Sequence, residues 1–238
     1  MRYSKIVSGK FIERLNRFVA VVDVSGELQK VHVKNTGRCR ELLIPGALVY
    51  LEDFQGRMGA RKMRYSLVGV IKETDRESIM INMDSQAPNY VVREAFEAGN
   101  LILPDFGRAS SVKWEYKYGE SRIDFHVIND EGRQGLVEVK GVTLEKDGVA
   151  EFPDVPTERG IKHVRELIKA HDEGYYAAVL FVIQMKGMKE FRPNDETHRA
   201  FGDSLREAAV RGVHILAWDC QVGADEIVLD EEVGVIIN

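Results

Sequence analysis

Short runs rich in apolar and β-branched residues, separated by polar residues and glycine, recur near the start of the chain. Residues 18–24 and 28–34 are two such runs on either side of Ser25 and Gly26, which predicts a β-hairpin with a tight turn. Further strands are predicted at residues 47–52, 66–72 and 78–83. Five short strands are typical of a small closed barrel, so we expect an OB-fold-like barrel over residues 1–84.

The pattern changes after the predicted barrel, where helical periods alternate with apolar strands. The first predicted helix runs from Asn89, its N-cap, to Ala98 and ends before Gly99. Two longer helices are predicted, one after the N-cap Thr157 and one over about residues 196–211. Apolar runs that predict strands lie at residues 177–183, without any polar alternation, and at residues 213–218. Alternating strands and helices predict parallel strand pairs, so we expect an α/β domain over residues 85–238.

The composition is that of an ordinary globular protein, with 44% hydrophobic and 30% charged residues. The absence of a long apolar run and of an apolar leader after Met1 predicts a cytoplasmic protein that does not engage a membrane. Cys39 and Cys220 have no ligand-type spacing and are expected to be reduced thiols. The net charge of −5 is unevenly placed, because residues 1–90 carry +5 and residues 91–238 carry −10. This asymmetry fits phosphate binding in the first part and metal binding in the second.

Candidate chemistry lies on a second predicted hairpin, whose strands at residues 121–128 and 134–140 enclose a five-residue loop. If the loop closes symmetrically, residues whose numbers sum to 262 face each other, which pairs Asp124 with Glu138. Strand alternation then places Lys140 on the same face as Glu138. The sequence therefore predicts that two carboxylates and one ammonium group converge.

Two facing carboxylates cost up to roughly 1 kcal/mol as a cross-strand pair. A bound Mg²⁺ or Mn²⁺ reverses that sign, since hard cations take carboxylate oxygens together with substrate phosphate. With Lys140 beside the metal, Asp124 and Glu138 form the set expected for phosphodiester hydrolysis by a PD-(D/E)xK-type nuclease. The alternative interpretation is a solvated hairpin with mixed charges, because an E-x-K spacing is common by chance and a one-residue slip of register would separate the groups.

Four longer sequence motifs, spread over nearly the whole chain, carry a resemblance to a known family. They are Thr36-Gly-Arg-Cys-Arg-Glu-Leu-Leu-Ile-Pro-Gly46, Tyr118-Gly-Glu-Ser-Arg-Ile-Asp-Phe125, Val137-Glu-Val-Lys-Gly-Val-Thr-Leu144 and Phe152-Pro-Asp-Val-Pro-Thr-Glu-Arg-Gly-Ile-Lys-His163. These motifs resemble the sugar fermentation stimulation protein A family. The resemblance implies an N-terminal OB-fold, a C-terminal PD-(D/E)xK restriction-endonuclease-like domain, DNA binding and a regulatory role in sugar (maltose) utilisation. Asp124, Glu138 and Lys140 match the family's motif, with Ile123 where the literal motif has Pro.

Other residues could complete the site on the second domain. Gln184 at the end of the apolar strand is a candidate catalytic residue, against the alternative of a solvated strand end. Glu115 is a candidate third metal ligand, and Glu94 competes for that position. On the helix after Thr157, three apolar residues, Ile161, Val164 and Ile168, define one face. The polar face opposite them is expected to carry Arg159, Lys162, His163 and Glu166. Arg159 and Lys162 are candidate phosphate contacts near the helix N-terminus, whereas His163 is expected at the surface.

A basic segment of the barrel supplies candidate nucleic-acid contacts. Phe54 and Tyr65 enclose four cationic residues, which are Arg57, Arg61, Lys62 and Arg64. Aromatic rings that stack on bases, beside cations that follow the backbone, suit single-stranded nucleic acid. A flexible solvated connection is the alternative. Arg38 and Arg40 are expected to extend the same surface.

Together these patterns predict a DNA-binding protein, with a single-stranded substrate left open, that carries a metal-dependent nuclease site. The competing hypothesis is a non-catalytic DNA-binding regulator of sugar utilisation that retains the nuclease fold. Patterns for Walker-type nucleotide hydrolysis, zinc proteolysis and serine esterase chemistry are absent from the sequence. The sequence leaves the oligomeric state open, including a homo-oligomer.

Overall fold

The computed structural model describes residues 1–35 and 37–238. Thr36, which opens the first quoted motif, lies outside the described residues. The barrel strands of the described chain are β1 (Ile6–Asn16), β2 (Val19–Val24), β3 (Glu27–Val33), β4 (Leu48–Asp53), β5 (Tyr65–Glu73) and β6 (Ser78–Asn82).

Strands β1 to β5 form a closed barrel, which confirms the predicted fold of the first domain. They pair in the order β3-β2-β1-β4-β5, and a parallel pairing between β3 and β5 closes the ring. The interior is filled by fully buried apolar side chains, among them Phe11, Val22, Val31, Leu51 and Leu67. The predicted hairpin of β2 and β3 is also confirmed, with positive φ at Ser25 and Gly26 as its tight turn requires.

The barrel is not built from the five strands that the sequence predicts. The longest strand in it, β1, is absent from the prediction, and the predicted fifth strand, β6, is attached outside the ring to β5. β1 has no regular alternation because its register with β2 shifts twice, between Phe11 and Glu13 and between Arg14 and Asn16. Gly9 also interrupts the pattern, since a Cβ there would lie 2.6 Å from a methyl group of Val22.

The second domain mixes helices and strands, as the sequence predicts. Its elements in the described chain are α1 (Ala87–Glu97), β7 (Ile102–Leu103), β8 (Gly107–Tyr118), β9 (Ser121–Asn129), β10 (Gln134–Val142), β11 (Leu144–Lys146), β12 (Val149–Phe152), α2 (Glu158–Asp172), β13 (Tyr176–Ile183), β14 (Glu190–Pro193), α3 (Asp195–Val210), β15 (His214–Val222) and β16 (Ile227–Glu232). The main sheet has the order β16-β15-β13-β10-β9-β8-β7, and β11, β12 and β14 form a small separate sheet.

The centre of the main sheet is parallel. β13 pairs in parallel with both β10 and β15, and every residue of β13 is buried, so the predicted central strand is confirmed. Apolar residues of α2 and α3 pack on one face of the sheet, and those of α1 pack on the other. The apolar core between the sheet and the helices α2 and α3 is continuous with the barrel interior. Apolar contacts therefore join the two domains. Within the described residues, no helix has the length and apolar character needed to cross a membrane.

The N-cap of the first helix lies three residues before Asn89, the predicted N-cap. Gln86 is the N-cap of α1, and Pro88 occupies the first turn, where its missing N–H costs nothing. Asp84 accepts hydrogen bonds from the backbone N–H of Gln86 and of Ala87, so the entry to the helix is fixed without a side-chain cap from Asn89. The amide of Asn89 is therefore free to act elsewhere.

The two longer helices follow their predictions closely. Thr157 caps α2 through a hydrogen bond that its hydroxyl accepts from the N–H of Gly160 at 3.0 Å, and Gly174 adopts positive φ beyond the end. α3 runs from Asp195 to Val210, one residue earlier at each end than predicted, with Asn194 as its cap. α2 carries its N-terminal turns toward the β9–β10 hairpin, where the candidate chemistry lies.

Candidate metal centre

The β9–β10 hairpin has the predicted register only over its first pairs. Gln134 pairs with Ile128, and the ladder continues in the same register to Val137 opposite Phe125. The next expected pair, Asp124 with Glu138, is not part of the ladder. Instead, Oδ2 of Asp124 accepts a hydrogen bond from the backbone N–H of Val139 at 2.8 Å. The two strands separate here because the Asp124 carboxylate, rather than a main-chain carbonyl, satisfies that N–H group.

Asp124 is held by two donors from different elements. Besides Val139, the side-chain amide of Asn89 on α1 donates to Oδ1 at 2.8 Å. Burial, followed by the negative charge of Glu138, raises the pKa of Asp124 to about 6. The sequence predicts Asn89 as a helix cap, and its role beside Asp124 can be found only once α1 is placed on this face of the sheet.

Glu138 is buried, and its two oxygens differ in their surroundings. Oε1 accepts a hydrogen bond from Nζ of Lys140 at 2.6 Å and a second one from Nδ1 of His163. Oε2 is buried and has no hydrogen-bond partner among the described residues. Burial opposes ionisation of Glu138, but the bond from His163 and the Lys140 ammonium outweigh it and hold the pKa of Glu138 below its usual range.

His163 is buried, so the prediction that it lies at the surface is wrong. The buried face of α2 includes Leu167, one helical turn after His163, as well as the predicted Val164 and Ile168. That wider stripe brings His163 inward, and the spacing between His163 and Leu167 was the signal in the sequence. Nε of Arg159 donates to Nε2 of His163 at 3.4 Å, which leaves Nδ1 to carry the hydrogen that points at Glu138.

Glu115 lies next to Asp124 across the neighbouring strand pair. Trp114 is opposite Phe125 and Tyr116 is opposite Ile123, so Glu115 falls between them in line with Asp124. Its φ of 53° is rare for a residue other than glycine inside a strand. The Glu115 carboxylate is largely exposed and contacts Arg122 at 3.4 Å. Its role as a third ligand stays a prediction.

Two other predicted residues are engaged away from Asp124. Glu94 binds the amino terminus of Met1 at 2.5 Å. Gln184 is buried rather than solvated, and its amide donates to the carbonyl oxygens of Asn82 and Asp84 at the junction with the barrel. Among the described contacts, Gln184 makes no hydrogen bond to the carboxylates of the site, so a catalytic role for it stays a prediction.

Three arginines of the basic segment between β4 and β5 make hydrogen bonds to other residues of the barrel. Arg64 makes a two-pronged contact with the buried carboxylate of Asp53, at 2.7 and 2.8 Å. Arg57 donates to the carbonyl of Asp53 at 3.0 Å, and Arg61 donates to the hydroxyl of Ser66 at 2.5 Å. The hydrogen bonds from Arg64 hold the pKa of Asp53 well below its usual range.

Phe54 in the same segment is covered by cations. The guanidinium of Arg61 lies 3.6 Å from the centre of its ring, and that of Arg57 lies 5.0 Å away. A base could stack on Phe54 only after displacing a guanidinium group. Lys62 is exposed and makes no ion pair in the described structure. The predicted nucleic-acid contacts of this segment therefore stay a prediction, with Lys62 the least engaged of the four.

Arg38 and Arg40 lie elsewhere on the barrel, in a concavity of about 320 Å³ that they line together with Arg14 and Arg17. Arg14 is structural, because it donates to backbone carbonyls that include those of Gly37 and Arg38 at 2.7 and 2.8 Å. Arg17, Arg38 and Arg40 are exposed and make no ion pair among the described residues. The concavity combines the exposed guanidinium groups of Arg38 and Arg40, and that of Arg17 over the Phe18 ring at 4.6 Å, with a lining that contains no carboxylate.

Arg159 and Lys162 are exposed on the first two turns of α2, on the side of the helix that leads to His163. Arg159 reaches the site through its contact with His163. Lys162 lines a separate shallow concavity on the same helix. Their predicted phosphate contacts stay predictions.

A second acidic cluster lies at the far side of the sheet. Asp219, Asp230 and Glu231 bring carboxylate oxygens within 4.8 Å of one another. Nζ of Lys186 already sits among them and binds all three, at 3.1, 2.6 and 2.6 Å respectively. The ammonium group gives each of the three carboxylates a donor and compensates part of their charge, whereas at the hairpin site one oxygen of Glu138 is left without a donor among the described residues.

Comparisons with known proteins agree over the whole chain. Residues 12–81 match the family model described as the SfsA N-terminal OB domain, and residues 86–226 match the sugar fermentation stimulation protein RE domain. A sugar fermentation stimulation protein homologue of Clostridium beijerinckii is 50% identical over 237 residues, covering 100% of both chains. One of Desulfitobacterium hafniense is 51% identical over 229 residues, covering 95% of this chain and 94% of the relative.

A solved structure also resembles the chain. It is the structure of Pyrococcus furiosus SfsA in complex with Ca²⁺, which superposes with a TM-score of 0.84 at 28% identity. The superposition covers 99% of this chain and 98% of that one.

Proposed function

The chain belongs to the sugar fermentation stimulation protein family, and we propose that it is a DNA-binding protein whose second domain holds a metal-dependent phosphodiester-hydrolysing site. The observation that carries the proposal is the buried Oε2 of Glu138, which has no hydrogen-bond partner among the described residues, in a carboxylate whose charge acts on the second carboxylate, Asp124. An oxygen in that position needs a cation or a donor.

The donor set fits a hard divalent cation. Asp124 and Glu138 offer carboxylate oxygens, which Mg²⁺ and Mn²⁺ prefer, and Glu115, whose carboxylate contacts Arg122, is the candidate third ligand. When bound, the cation supplies Lewis-acid stabilisation of charge on the phosphate. The complex of the Pyrococcus furiosus relative with Ca²⁺, another cation that takes oxygen ligands, supports the proposal.

The remaining residues position the carboxylates and the substrate. Asn89 fixes Asp124, and His163 fixes Glu138. Lys140 presents an ammonium group next to Glu138, where it binds a phosphate oxygen or orients the attacking water. Each of these three residues comes from a different element, which explains why the complete set assembles only in the folded domain.

The barrel contributes nucleic-acid binding through the exposed arginines Arg17, Arg38 and Arg40. Their guanidinium groups suit phosphate oxygens and have no competing carboxylate in the concavity. The net charge of +5 on residues 1–90 also favours binding of the negatively charged phosphates by the barrel. Within the described residues, these arginines are better placed for phosphate contact than Arg57, Arg61 and Arg64, which are bound within the barrel.

The proposed reaction is tested by incubating purified protein with labelled single-stranded and double-stranded DNA in Mg²⁺, Mn²⁺ or EDTA. We expect cleavage that needs the metal and that is abolished in Asp124→Ala and Lys140→Ala. A wild type that binds DNA in every condition but never cleaves it would instead support the non-catalytic regulator. Cleavage that persists unchanged in both variants would contradict the assignment of the site.

The barrel surface is tested by the salt dependence of DNA binding. Replacing Arg38 and Arg40 with Ala is expected to reduce the slope of log K against log salt concentration by roughly one unit for each phosphate that is no longer neutralised. The matched control is Arg57→Ala with Arg61→Ala, which removes the same charge from the internally bound segment and should leave the slope nearly unchanged. A slope that is reduced in the Arg57 and Arg61 variant but unchanged in the Arg38 and Arg40 variant would show that the segment between β4 and β5 contacts DNA instead.

A further inference from the structure

A small concavity opens directly beside Asp124 and contains residues that the nuclease site does not use. It has a volume of about 180 Å³. Its lining combines the N-terminal part of α1 with the strands β8 and β9, and among its residues are Gln86, Asn89, Tyr90, Trp114, Glu115 and Asp124. The lining therefore includes part of the candidate metal centre together with two aromatic rings.

The two aromatic rings are unusually exposed. Trp114 is 47% exposed and Tyr90 is 40% exposed, whereas the other tryptophan of the chain, Trp218, is buried. The two exposed rings meet edge to face, with centroids 6.1 Å apart and planes at 62°. The guanidinium of Arg93 lies 4.5 Å from the centre of the Trp114 ring. These contacts orient the indole and leave almost half of its surface exposed.

A polar group stands at the mouth of the same concavity. Gln86 is exposed, and its side-chain amide makes no hydrogen bond within the described structure. An amide carries both a donor and an acceptor, which are the groups needed to contact the edge of a nucleobase. Asn89, in contrast, is already bound to Asp124. The concavity thus offers a stacking surface and a free amide, whereas the adjoining Arg93 is already paired with Glu97 at 2.6 Å.

We propose that this concavity binds an unpaired nucleobase of single-stranded DNA, which stacks on Trp114 and places the adjoining phosphate toward Asp124 and Glu138. The proposal rests on the proposed function, and it names the substrate class of the same site. In duplex DNA both faces of a base are covered by its neighbours, so a base reaches Trp114 only from a single strand, a loop or a frayed end.

The test is a binding titration of single-stranded DNA that contains 2-aminopurine, whose fluorescence falls when the base stacks. EDTA is present to prevent cleavage, and a duplex of the same sequence is titrated in parallel. The variants are Trp114→Ala, the conservative Trp114→Phe, and Tyr90→Ala, which removes the second exposed aromatic ring of the same concavity. Ile102→Ala is the control, because it removes an apolar side chain of the same domain that is 59% exposed.

We expect Trp114→Ala to weaken single-strand binding about tenfold and to abolish the fluorescence change, with duplex binding nearly unchanged. Trp114→Phe should recover most of the affinity, and Ile102→Ala should behave as the wild type. If Trp114→Ala and Tyr90→Ala bind single strands as the wild type does, the base site is overturned while metal-dependent cleavage by the wild type can still stand. A wild type that binds neither form of DNA overturns both.

Discussion

Replacing Asp124 with Asn is expected to raise the dissociation constant for Mn²⁺ at least about a hundredfold and to remove metal-dependent cleavage. Changing a residue that only supports a metal ligand commonly costs ten- to a hundredfold in affinity, and removing a direct carboxylate ligand costs no less. The Asn side chain keeps the size of Asp124, but its amide nitrogen presents a donor where Val139 or Asn89 also donates. Calorimetric titration with Mn²⁺ measures the affinity, and thermal unfolding checks that the variant is folded.

Two matched variants make this result specific. Asp130→Asn removes an exposed carboxylate from the loop at the other end of the same hairpin, and it should bind Mn²⁺ as the wild type does. Lys140→Ala should retain Mn²⁺ binding but lose cleavage, because the proposed function assigns its ammonium group to the substrate phosphate or the attacking water rather than to the metal. Equal Mn²⁺ affinity in Asp124→Asn and the wild type would place the metal elsewhere.

Arg64→Ala is expected to lower the free energy of unfolding clearly more than Arg57→Ala does, although the sequence predicts Arg64 as a DNA contact. The Asp53 carboxylate is buried and receives two hydrogen bonds from Arg64, and only Lys5, at 2.9 Å, would remain as an ionic partner. Removing one member of such a pair leaves a buried charge poorly compensated. Urea unfolding measures the decrease.

Arg57→Ala is the control for this change, since it removes a cation from the same segment. Arg57 donates to the backbone carbonyl of Asp53 and lies 3.6 Å from Glu52, so its removal should cost less than about 1 kcal/mol. If Arg64→Ala unfolds like the wild type and binds DNA more weakly instead, the ion pair is not structural and the segment is the DNA contact.

The pH dependence of the same pair follows from the depressed pKa of Asp53. The folded-state pKa of Asp53 lies below the unfolded value of about 3.9, so the stabilisation is fully present above that value. It is lost as the pH falls below about 4 toward the folded-state pKa. The difference in unfolding free energy between the wild type and Arg64→Ala should therefore be constant near pH 7 and should shrink in acid. A difference that grows in acid would contradict the pair.

The sequence predicts elements with a regular pattern and residues with strong local signals. The apolar run of β13, the Thr157 cap of α2 and the Ser25-Gly26 turn all depend on neighbours in sequence, and each is confirmed. The first strand, β1, escapes prediction because its bulges break the alternation on which strand prediction depends. Interactions between residues close in sequence therefore determine most of the helices and strands of this chain. A strand with bulges, such as β1, cannot be predicted from them alone.

The candidate site shows a second limit on what can be predicted from the sequence. Register arithmetic brings Asp124 near Glu138, but it cannot show that the strands separate and that Val139 donates to Asp124. Asn89 and His163 complete the site from α1 and α2, and their roles depend on how those helices pack against the sheet. The structural role of Arg64 is hidden for the same reason, since the sequence does not show that Asp53 lies buried beneath it.

The most direct measurement of the central claim is diffraction from crystals soaked in Mn²⁺, recorded at the manganese absorption edge. The anomalous signal locates the metal independently of any activity. We predict a peak in contact with Asp124 and Glu138 that disappears in Asp124→Asn crystals. A peak confined to Asp219, Asp230 and Glu231, or no peak beside Asp124 at a saturating Mn²⁺ concentration, would contradict a metal centre on the β9–β10 hairpin.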